Sequence, residues 1–387
     1  MRVLLVHNAY GKRSGEEVVV DQQSELLASQ GHVVERFERT SEGVGSNLIA
    51  QSKAFFAALG NRCTLETFGR AVSRFGPDVI HVHNLYPWIS PAILPIAHAS
   101  GAAVVMSVHN FRLLCPNGLM FTHGEPCERC VPAAEYWCVL RNCERSVAKS
   151  TGYALRNYVA RRRRWYLDNV DRFAVLTGFQ QRKLVAAGYP VERIALLPNT
   201  AEVRDADDTA GEADCVGFIG RVSPEKGSSV LIDAMKKLDT VECRIAGAFD
   251  RQPELPGRAP GNVEFLGMLG KPELARLFLR LRIVVVPSVC YEGFPMSVVE
   301  AMAHGRPVIA SRIGGIPEIV EDGVTGLLCE PGNADDLAEK IRYLWDRPEL
   351  CRQMGEAGRD KAALEYNKAR YYERLMAIYQ DAIASRT

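Results

Sequence analysis

The sequence lacks any apolar run near the ~20 residues that a membrane-spanning helix requires, so any membrane association is expected to be peripheral. Its formal net charge at pH 7 is only +1, which disfavours a dedicated nucleic-acid-binding protein. The four consecutive apolar residues of Val3–Val6 are too few for the core of a signal peptide. These absences predict a cytoplasmic protein with no nucleic-acid partner.

The rest of the composition is that of a globular protein. Apolar residues make up 47% of the 387 residues and charged residues 24%, which argues against wholesale disorder. At ~150 residues per domain, the length predicts two domains. Eleven cysteines in a chain expected to be cytoplasmic indicate free thiols or metal ligands rather than a disulfide framework.

Short apolar runs alternate with helix-like stretches along the chain. Because the runs are continuous rather than alternating, they are typical of strands buried on both faces of parallel sheets. A polar, acidic segment at 201–214 separates two series of runs and predicts a linker between two α/β domains. The runs are Val3–His7, Val33–Phe37, Val79–His83, Val104–His109, Phe173–Leu176 and Ile194–Leu197, then Cys215–Ile219, Cys243–Ala246, Val263–Leu266, Ile283–Val286, Val308–Ala310 and Gly326–Leu328.

Two cations follow the first strand of the second series. Gly220 permits a tight turn after the strand, Arg221 and Lys226 come next, and a helix-like segment begins at Ser228. A helix N-terminus with free N–H groups beside two cations suits a diphosphate. The alternative is a solvated loop that carries two positive charges.

Two carboxylates follow a later strand of the same series. Glu292 lies in the loop after Ile283–Val286, and Glu300 lies in a helix whose first position suits Pro295 and whose end suits Gly305. Because helical side chains lean towards the N-terminus, both carboxylates can point at one ligand and accept from sugar hydroxyls. A capping role for Glu292 and a solvated helix face for Glu300 are the alternatives.

Taken together, these motifs resemble the retaining glycosyltransferases of family 4. Two further segments, Gly314-Gly315-Ile316-Pro317-Glu318 and Gly323-Val324-Thr325-Gly326-Leu327-Leu328, are similar to that family's "GGxPE" and "GxxGxL" segments. The resemblance implies an α/β fold of the GT-B type, with two Rossmann-like domains whose parallel sheets face an interdomain cleft. We expect the acceptor domain over 1–200, the nucleotide-sugar donor domain over 201–365, and a C-terminal helix over 366–387 that packs back on the first domain.

The resemblance also implies roles for residues of the donor domain. Arg221 and Lys226 would hold the nucleotide diphosphate, Glu300 would accept from the ribose hydroxyls, and Glu292 would contact the transferred sugar as a catalytic residue. Further donor contacts are expected at Gly293, Phe294, Pro295 and Met296, near the phosphates and sugar, and at Met268, near the base.

The N-terminal half is more diverged. Its first loop, Asn8–Glu17, is not GxGxxG, which weakens a dinucleotide-binding interpretation. Gly15 matches the family's glycine-containing loop near the donor, with a plain flexible turn as the alternative. His109 ends a strand where the family carries a histidine facing the donor sugar, so a catalytic role is expected. His81 and His83 are interpreted as structural histidines.

Four cysteines have a spacing compatible with a structural zinc ion. The pattern Cys115-x11-Cys127-x2-Cys130-x12-Cys143 could bind Zn²⁺ tetrahedrally and hold a long insertion near 115–143. Cys138 would then be a spare thiol, and His123 is an alternative ligand. Free buried thiols or a redox-sensitive cluster remain open.

A basic and aromatic stretch follows the cysteines. Arg141, Arg145, Lys149, Arg156 and Arg161–Arg164 are interleaved with Trp137, Tyr153, Tyr158, Trp165 and Tyr166. Such a helix could lie on an anionic membrane, on the inner face of the plasma membrane, and reach a lipid-linked acceptor. A solvated helix is the alternative.

The predicted reaction is retaining transfer of a sugar from a nucleoside diphosphate sugar, with a UDP-sugar favoured, to a glycan or lipid-linked acceptor in cell-surface polysaccharide biosynthesis. No catalytic metal is expected, since GT-B enzymes generally need none and no strand ends in Asp-x-Asp. A sugar-nucleotide epimerase of the same fold and a non-catalytic sugar-nucleotide-binding subunit are the alternatives.

Overall fold

The computed structural model describes residues 1–10, 15–41, 60–203 and 213–386. Contacts divide the chain into two compact units. The first comprises Met1–Met120, Cys127–Pro198 and Tyr371–Thr387, and the second comprises Phe121–Pro126 and Asn199–Arg370. Within the described ranges, no helix is both long and apolar enough to cross a membrane.

The first unit is built on a parallel sheet with strand order β2-β1-β3-β4-β7-β8. Its central strands are mostly apolar and are buried on both faces, as their continuous apolar runs predict. A hairpin of two two-residue strands, β5 and β6, follows β4 in the chain but is counted with the second unit. The strands are β1 Arg2–Ala9, β2 Val33–Thr40, β3 Val79–Val82, β4 Ala103–Val108, β5 Phe121–Thr122, β6 Glu125–Pro126, β7 Arg172–Val175 and β8 Ile194–Leu196.

Helices flank this sheet and begin and end at recognisable capping residues. The Asn61 side chain caps the N-terminus of α2 by accepting from the Cys63 amide, and Gly76 ends it in the left-handed conformation. The helices are α1 Gly15–Ser29, α2 Arg62–Phe75, α3 Leu94–Ala99, α4 Tyr136–Leu140, α5 Val147–Arg162, α6 Trp165–Asn169 and α7 Gly178–Ala186.

The second unit contains a parallel sheet of the same kind, with strand order β11-β10-β9-β12-β13-β14. Its strands are β9 Cys215–Ile219, β10 Cys243–Ala246, β11 Val263–Gly267, β12 Leu281–Val286, β13 Val308–Ser311 and β14 Gly326–Cys329. Every apolar run of the second series coincides with one of these strands.

The helices of the second unit are α8 Ser228–Met235, α9 Lys271–Arg280, α10 Met296–Ala303, α11 Ile316–Ile319, α12 Ala334–Trp345 and α13 Pro348–Glu365. The apolar face of α12, including Leu337, Ile341 and Leu344, packs into the same core cluster as strand residues such as Val216 and Ile309. Asn333 caps α12 by accepting from the first backbone amides of the helix.

The C-terminal helix, α14 Lys368–Ala384, is part of the first unit from Tyr371 onwards. Its residues Tyr371, Leu375, Ile378, Tyr379 and Ala382 recur at helical spacing and are buried against Leu5 and Val105 of the first sheet. The two Rossmann-like α/β units confirm the predicted fold class.

Candidate active site

The centre of the candidate donor site is an ion pair between Lys226 and Glu292. Lys226 ends a short 3₁₀ turn after β9, and Glu292 lies in the loop after β12, the strand next to β9 in the sheet. Lys226 Nζ lies 2.6 Å from Glu292 Oε1, which also accepts from Ser288 Oγ at 2.5 Å. Two residues that the sequence assigned separately to diphosphate and sugar are therefore in direct contact.

Two glycines permit this contact. At Gly227, with φ of 69°, a Cβ would lie 1.8 Å from the carbonyl oxygen of Pro287 at the end of β12. At Gly314, with φ of 62°, a Cβ would lie 2.6 Å from the backbone N and O of Glu292. The adjacent Gly315 amide donates to Glu292 O at 2.8 Å. The "GGxPE" segment thus supports the loop that carries Glu292.

Both members of the pair are ionised at neutral pH. Burial opposes the charge of Glu292, but the Lys226 ammonium and the hydrogen bonds from Lys226 and Ser288 outweigh it and lower the pKa of Glu292. Burial likewise opposes the charge of Lys226, and the Glu292 carboxylate outweighs it and raises the pKa of Lys226. In the free protein, the positive charge expected to bind a diphosphate is therefore already balanced by a carboxylate.

Arg221 lies on the exposed side of the same loop. Its guanidinium is 3.6 Å from Glu225 Oε1, and Arg251 approaches the same oxygen at 3.4 Å. Glu225 is 5% exposed, so one buried carboxylate orients two cations that remain about half exposed. The sequence interpretation missed Arg251, because no spacing rule connects it to Arg221.

Glu300 lies in the second turn of α10 and has a different environment. Burial alone raises the pKa of Glu300 to about 7. Among the residues that the structure describes, no cation counters that effect, in contrast with Glu292. Glu300 is thus poised to lose its proton when hydrogen-bond donors such as ribose hydroxyls approach it.

The remaining predicted donor residues occupy the start of α10 and a distant edge strand. Pro295 is the N-cap and the helix begins at Met296, one position later than expected. The Phe294 ring is buried and packs edge-on against Tyr366, with centroids 5.4 Å apart, which leaves its backbone rather than its ring for a ligand. Gly293 is partly exposed between Glu292 and Phe294. Met268 follows β11 and is 71% exposed.

In the first unit, His109 belongs to a group of stacked histidines. His109 follows β4 and is partly exposed, whereas His83, which follows β3, is buried. His83 Nδ1 and His109 Nε2 are 2.9 Å apart, and their rings stack with centroids separated by 5.2 Å. Gly15, the exposed first residue of α1, precedes Glu16, whose carboxylate accepts from Asn110 Nδ2 at 2.9 Å.

The predicted zinc site is not confirmed. Within residues 1–10, 15–41, 60–203 and 213–386, no group of three or more His, Cys, Asp or Glu side chains is placed to hold a metal ion. The predicted ligands are Cys115, Cys127, Cys130 and Cys143. The thiols of Cys115 and Cys130 pair with each other, and the thiol of Cys143 pairs with that of Cys138. The pairing with Cys115 raises the pKa of Cys130, and that with Cys143 raises the pKa of Cys138, so both stay protonated thiols.

The pairing of these cysteines follows from their packing, which their spacing in the sequence does not show. Cys138, interpreted as a spare thiol, is 1% exposed and packs with Cys130 and Ala154 in a small apolar cluster, against which Cys143 is also packed. Small neutral thiols fill such a cluster as hydrophobic side chains. The described cysteines are thus placed as packing side chains and are not gathered around a metal position.

Comparison with known proteins agrees with the fold and the motifs. Residues 14–200 match the family described as "Glycosyl transferase 4-like domain", and residues 213–347 match "Glycosyl transferases group 1". The chain is 40% identical over 147 residues to an uncharacterised glycosyltransferase of Methanocaldococcus jannaschii, a match covering 37% of this chain and 41% of the relative. It is 32% identical over 259 residues to a D-inositol 3-phosphate glycosyltransferase of Corynebacterium glutamicum, covering 57% and 59%. The chain thus spans between two fifths and three fifths of the length of these two relatives.

Solved structures of similar fold cover nearly the whole chain. Sucrose-phosphate synthase from Thermosynechococcus elongatus superposes with a TM-score of 0.73 at 21% identity, over 99% of both chains. The Anabaena protein HepE, solved in complex with UDP and glucose, superposes with a TM-score of 0.68 at 19% identity, over 98% of this chain and 99% of its own. With both halves matched to glycosyltransferase domains, the chain belongs to the family 4 type of glycosyltransferases with the GT-B fold.

Proposed function

We propose that the protein transfers a sugar from a nucleoside diphosphate sugar to a hydroxyl group of a glycan or lipid-linked acceptor, with retention of the anomeric configuration, in cell-surface polysaccharide biosynthesis. The observation that carries this proposal is the Lys226–Glu292 ion pair at the carboxyl ends of two neighbouring strands. In open α/β sheets, ligands bind beyond these strand ends.

The first task of such a site is to stabilise the departing nucleoside diphosphate. As the bond between the sugar C1 and the diphosphate oxygen breaks, negative charge grows on the diphosphate. Lys226 and Arg221 supply fixed positive charge, and the N-terminus of α8 follows directly after Lys226. The acceptor oxygen bonds to C1 on the same face, and its proton passes to the leaving phosphate oxygen. No protein base is needed for that proton.

The second task is to hold the sugar while charge moves away from it. When a diphosphate approaches Lys226, it replaces part of the charge balance that Glu292 provides in the free protein. The Glu292 carboxylate is then available to accept hydrogen bonds from sugar hydroxyls. Donor binding thereby converts a stabilising ion pair into two separate donor contacts, which couples recognition of the diphosphate to orientation of the sugar.

A UDP-sugar is the favoured donor. The support is the similarity in fold to HepE, which has been solved with UDP, with UDP and glucose, and with UDP-glucose. The base is expected near the exposed Met268, and the ribose near Glu300.

The protein is further proposed to act peripherally on the cytoplasmic face of an anionic membrane. Along α5, Val147, Thr151, Leu155, Tyr158 and Arg162 are exposed and recur at intervals of three or four residues, so they share one face. Tyr136 and Leu140 of the adjoining α4 are 58% and 69% exposed. An exposed apolar stripe ending in a cation is typical of interfacial helices.

Several of the basic residues interact within the protein and are therefore not available to contact a membrane. Arg156 is buried, with its guanidinium 3.9 Å from the Tyr86 ring centroid and donating to Pro116 O at 2.8 Å. Arg161 pairs with Glu135, and Arg164 pairs with Asp168. Of the four consecutive arginines, Arg162 and Arg163 are exposed and have no ion pair within the part of the chain that the structure describes, so the lipid contact is assigned to the stripe and these two residues.

The test is mass spectrometry and NMR of products formed from a panel of nucleoside diphosphate sugars, with and without polyprenyl-diphosphate glycans. We expect one donor to yield a transferred sugar with its anomeric configuration retained. Interconversion of donor sugars without transfer would instead identify an epimerase. Donor binding without any turnover would identify a non-catalytic binding subunit.

A further inference from the structure

Three histidines of the first unit, His81, His83 and His109, form a continuous stack that runs from a buried ring to a partly exposed one. His81 and His83 stack with centroids 4.5 Å apart and planes inclined by 12°, and His83 and His109 stack at 5.2 Å with the same inclination. His7 approaches the ring of His83 edge-on at 6.4 Å. Sequence interpretation treated His83 as structural, but the stack places it between an anchored ring and a partly exposed one.

The lower end of the stack is held rigidly. His81 Nε2 bonds with Ser107 Oγ at 2.9 Å, and its Nδ1 bonds with Tyr379 OH at 2.7 Å. Gln23 also reaches His81 Nδ1, at 2.8 Å. Both His81 nitrogens are occupied, so His81 contributes a fixed surface against which the His83 ring lies.

The upper end is a hydrogen bond between two imidazoles. His83 Nδ1 and His109 Nε2 are separated by 2.9 Å, which requires one of these nitrogens to carry a proton and the other to accept it. His83 Nε2 is buried and has no hydrogen-bond partner among the described residues. A buried N–H without an acceptor is rarer than an unfilled acceptor. This places the His83 proton on Nδ1, from which it donates to His109 Nε2.

We propose that His83 is a positioning residue that fixes His109 as the tautomer protonated on Nδ1, so that His109 presents an N–H to a hydroxyl oxygen of the transferred sugar. This inference rests on the proposed function for its catalytic consequence, although the tautomer itself does not. His109 is the group that touches substrate, and His83 acts only through it. A rigid, pre-oriented donor loses less free energy on binding than a ring that is free to rotate or change tautomer.

The charged and titratable groups around the pair keep both rings neutral. Burial lowers the pKa of His109, against the raising effect of Glu16 on α1. Burial also lowers the pKa of His83, and positive charge on His81, His109, His7 or Arg36 would lower it further. Protonating both rings would set two N–H groups against each other. The pair therefore has a single proton at its shared bond over the neutral range.

The enzymatic test compares two replacements of His83. The amide of His83→Asn can place a hydrogen-bonding group near the position of Nδ1, whereas His83→Leu cannot. We expect His83→Leu to lower kcat ~10- to 100-fold, as loss of groups that orient an active residue typically does, with the donor KM within about 3-fold. His83→Asn should recover most of kcat. His32→Leu, which removes a histidine bond to Tyr372 OH outside the stack, is the matched control and should retain wild-type kcat.

A double-mutant cycle separates positioning from general damage. In a His109→Ala background, His83→Leu should change kcat by no more than about 2-fold, because its effect is exerted through His109. A further loss as large as in the wild type would overturn the proposal. If His109→Ala itself retains full turnover with a confirmed donor and acceptor, the catalytic assignment in the proposed function fails instead.

Nitrogen-15 NMR of the imidazoles decides the tautomer without any substrate. His109 signals are identified by their loss in His109→Ala, and we expect Nδ1 of the wild-type ring to be protonated and Nε2 to be the acceptor. In His83→Leu the ring should change to a mixture of tautomers. A wild-type His109 protonated on Nε2 would overturn the proposal, and this measurement stands even if His83→Leu does not fold.

Discussion

Lys226 and Glu292 lie 66 positions apart in the sequence, and their side chains form a 2.6 Å ion pair in the free protein. The side chains are 25% and 10% exposed, so solvent only partly screens the interaction. The pair joins the group expected to hold the diphosphate with the group expected to hold the sugar, and the following predictions depend on this relationship.

Glu292→Gln should lower kcat while strengthening the binding of free UDP several-fold. The substitution removes the carboxylate that balances Lys226, so more positive potential is available to a diphosphate. Orientation of the sugar is lost at the same time, which lowers turnover. Isothermal titration with UDP and steady-state kinetics measure the two effects. Ser288→Ala is the control, because it removes a hydrogen bond to Glu292 but keeps the charge. Weaker UDP binding by Glu292→Gln would contradict the prediction.

Lys226→Ala should weaken UDP binding ~10- to 100-fold, since hydrogen bonds to charged groups contribute ~1.5–3 kcal/mol. It also leaves the Glu292 carboxylate without its ion pair, so the pKa of Glu292 should rise and the free protein should lose stability. Titration calorimetry and the thermal unfolding midpoint measure these effects. The double variant with Glu292→Gln should recover part of the lost stability. Equal UDP affinity in Lys226→Ala and the wild type would remove the diphosphate assignment.

Donor binding should depend on the ionisation of Glu300, whose pKa burial raises to about 7. Below that pH the neutral carboxyl accepts hydrogen bonds poorly, so the donor KM should fall as pH rises from 6 to 8. The contribution of Glu300 to the stability of the free protein should also fall as pH rises. Between the ordinary value of 4.5 and about 7 the folded state keeps a proton that the unfolded chain has released, so this contribution is lost over that range. In Glu300→Gln both dependences should become flat, with a higher donor KM throughout.

Gly314→Ala should displace the loop that carries Glu292. Its effect on stability and turnover should therefore exceed the effect of backbone strain alone. Gly314 and Gly323 both have positive φ, of 62° and 82°, but a Cβ at Gly323 meets nothing within 4 Å. Gly323→Ala is thus a matched control for strain, which costs ~1–3 kcal/mol. We expect a larger fall in unfolding temperature and a lower kcat only for Gly314→Ala. Equal effects of the two variants would contradict a role in positioning Glu292.

Binding to anionic vesicles should depend on the exposed stripe of α5. The double variant Leu155→Asp with Arg162→Gln should release the protein, because it removes apolar contact and one charge worth ~1 kcal/mol near the surface. Arg164→Gln, which breaks an exposed pair with Asp168 outside the stripe, is the control and should bind like the wild type. Co-sedimentation measures both. Turnover on a short soluble acceptor should be unaffected.

Purified protein should contain no stoichiometric zinc, and chelation should leave its unfolding temperature unchanged. The reason is that, among the residues described by the structure, no three His, Cys, Asp or Glu side chains are placed to hold a metal ion. Elemental analysis checks the first statement and calorimetry the second. One tightly held zinc per chain, lost in Cys127→Ser plus Cys130→Ser, would instead restore the ligand set predicted from spacing.

Individual residues show which parts of the structure could be predicted from the sequence. The apolar runs located the strands, because a strand buried on both faces is apolar at most positions, as in Val3–Val6 and Val284–Val286. Arg221 and Lys226 follow β9, and Glu292 follows β12. Their position at one edge of the sheet could be predicted, because parallel strands bring their carboxyl ends to the same edge. Sequence spacing did not predict the environment of the cysteines. It favoured Cys127 and Cys130 as neighbouring ligands and left Cys138 as a spare thiol, whereas Cys130 and Cys138 pack in one cluster.

Sequence alone determined the elements, the order of the motifs and the kinds of side chain that follow each strand, since these depend on local periodicity and on the chemistry of neighbouring residues. Tertiary structure alone decided which of those side chains meet. Lys226 reaches Glu292 because β9 and β12 are adjacent and because Gly227 and Gly314 allow close backbone approach. His83 reaches His109 because β3 and β4 pair in register, with Val82 opposite Met106. Strand order and backbone contact are set by packing over the whole sheet, and no short stretch of sequence encodes them.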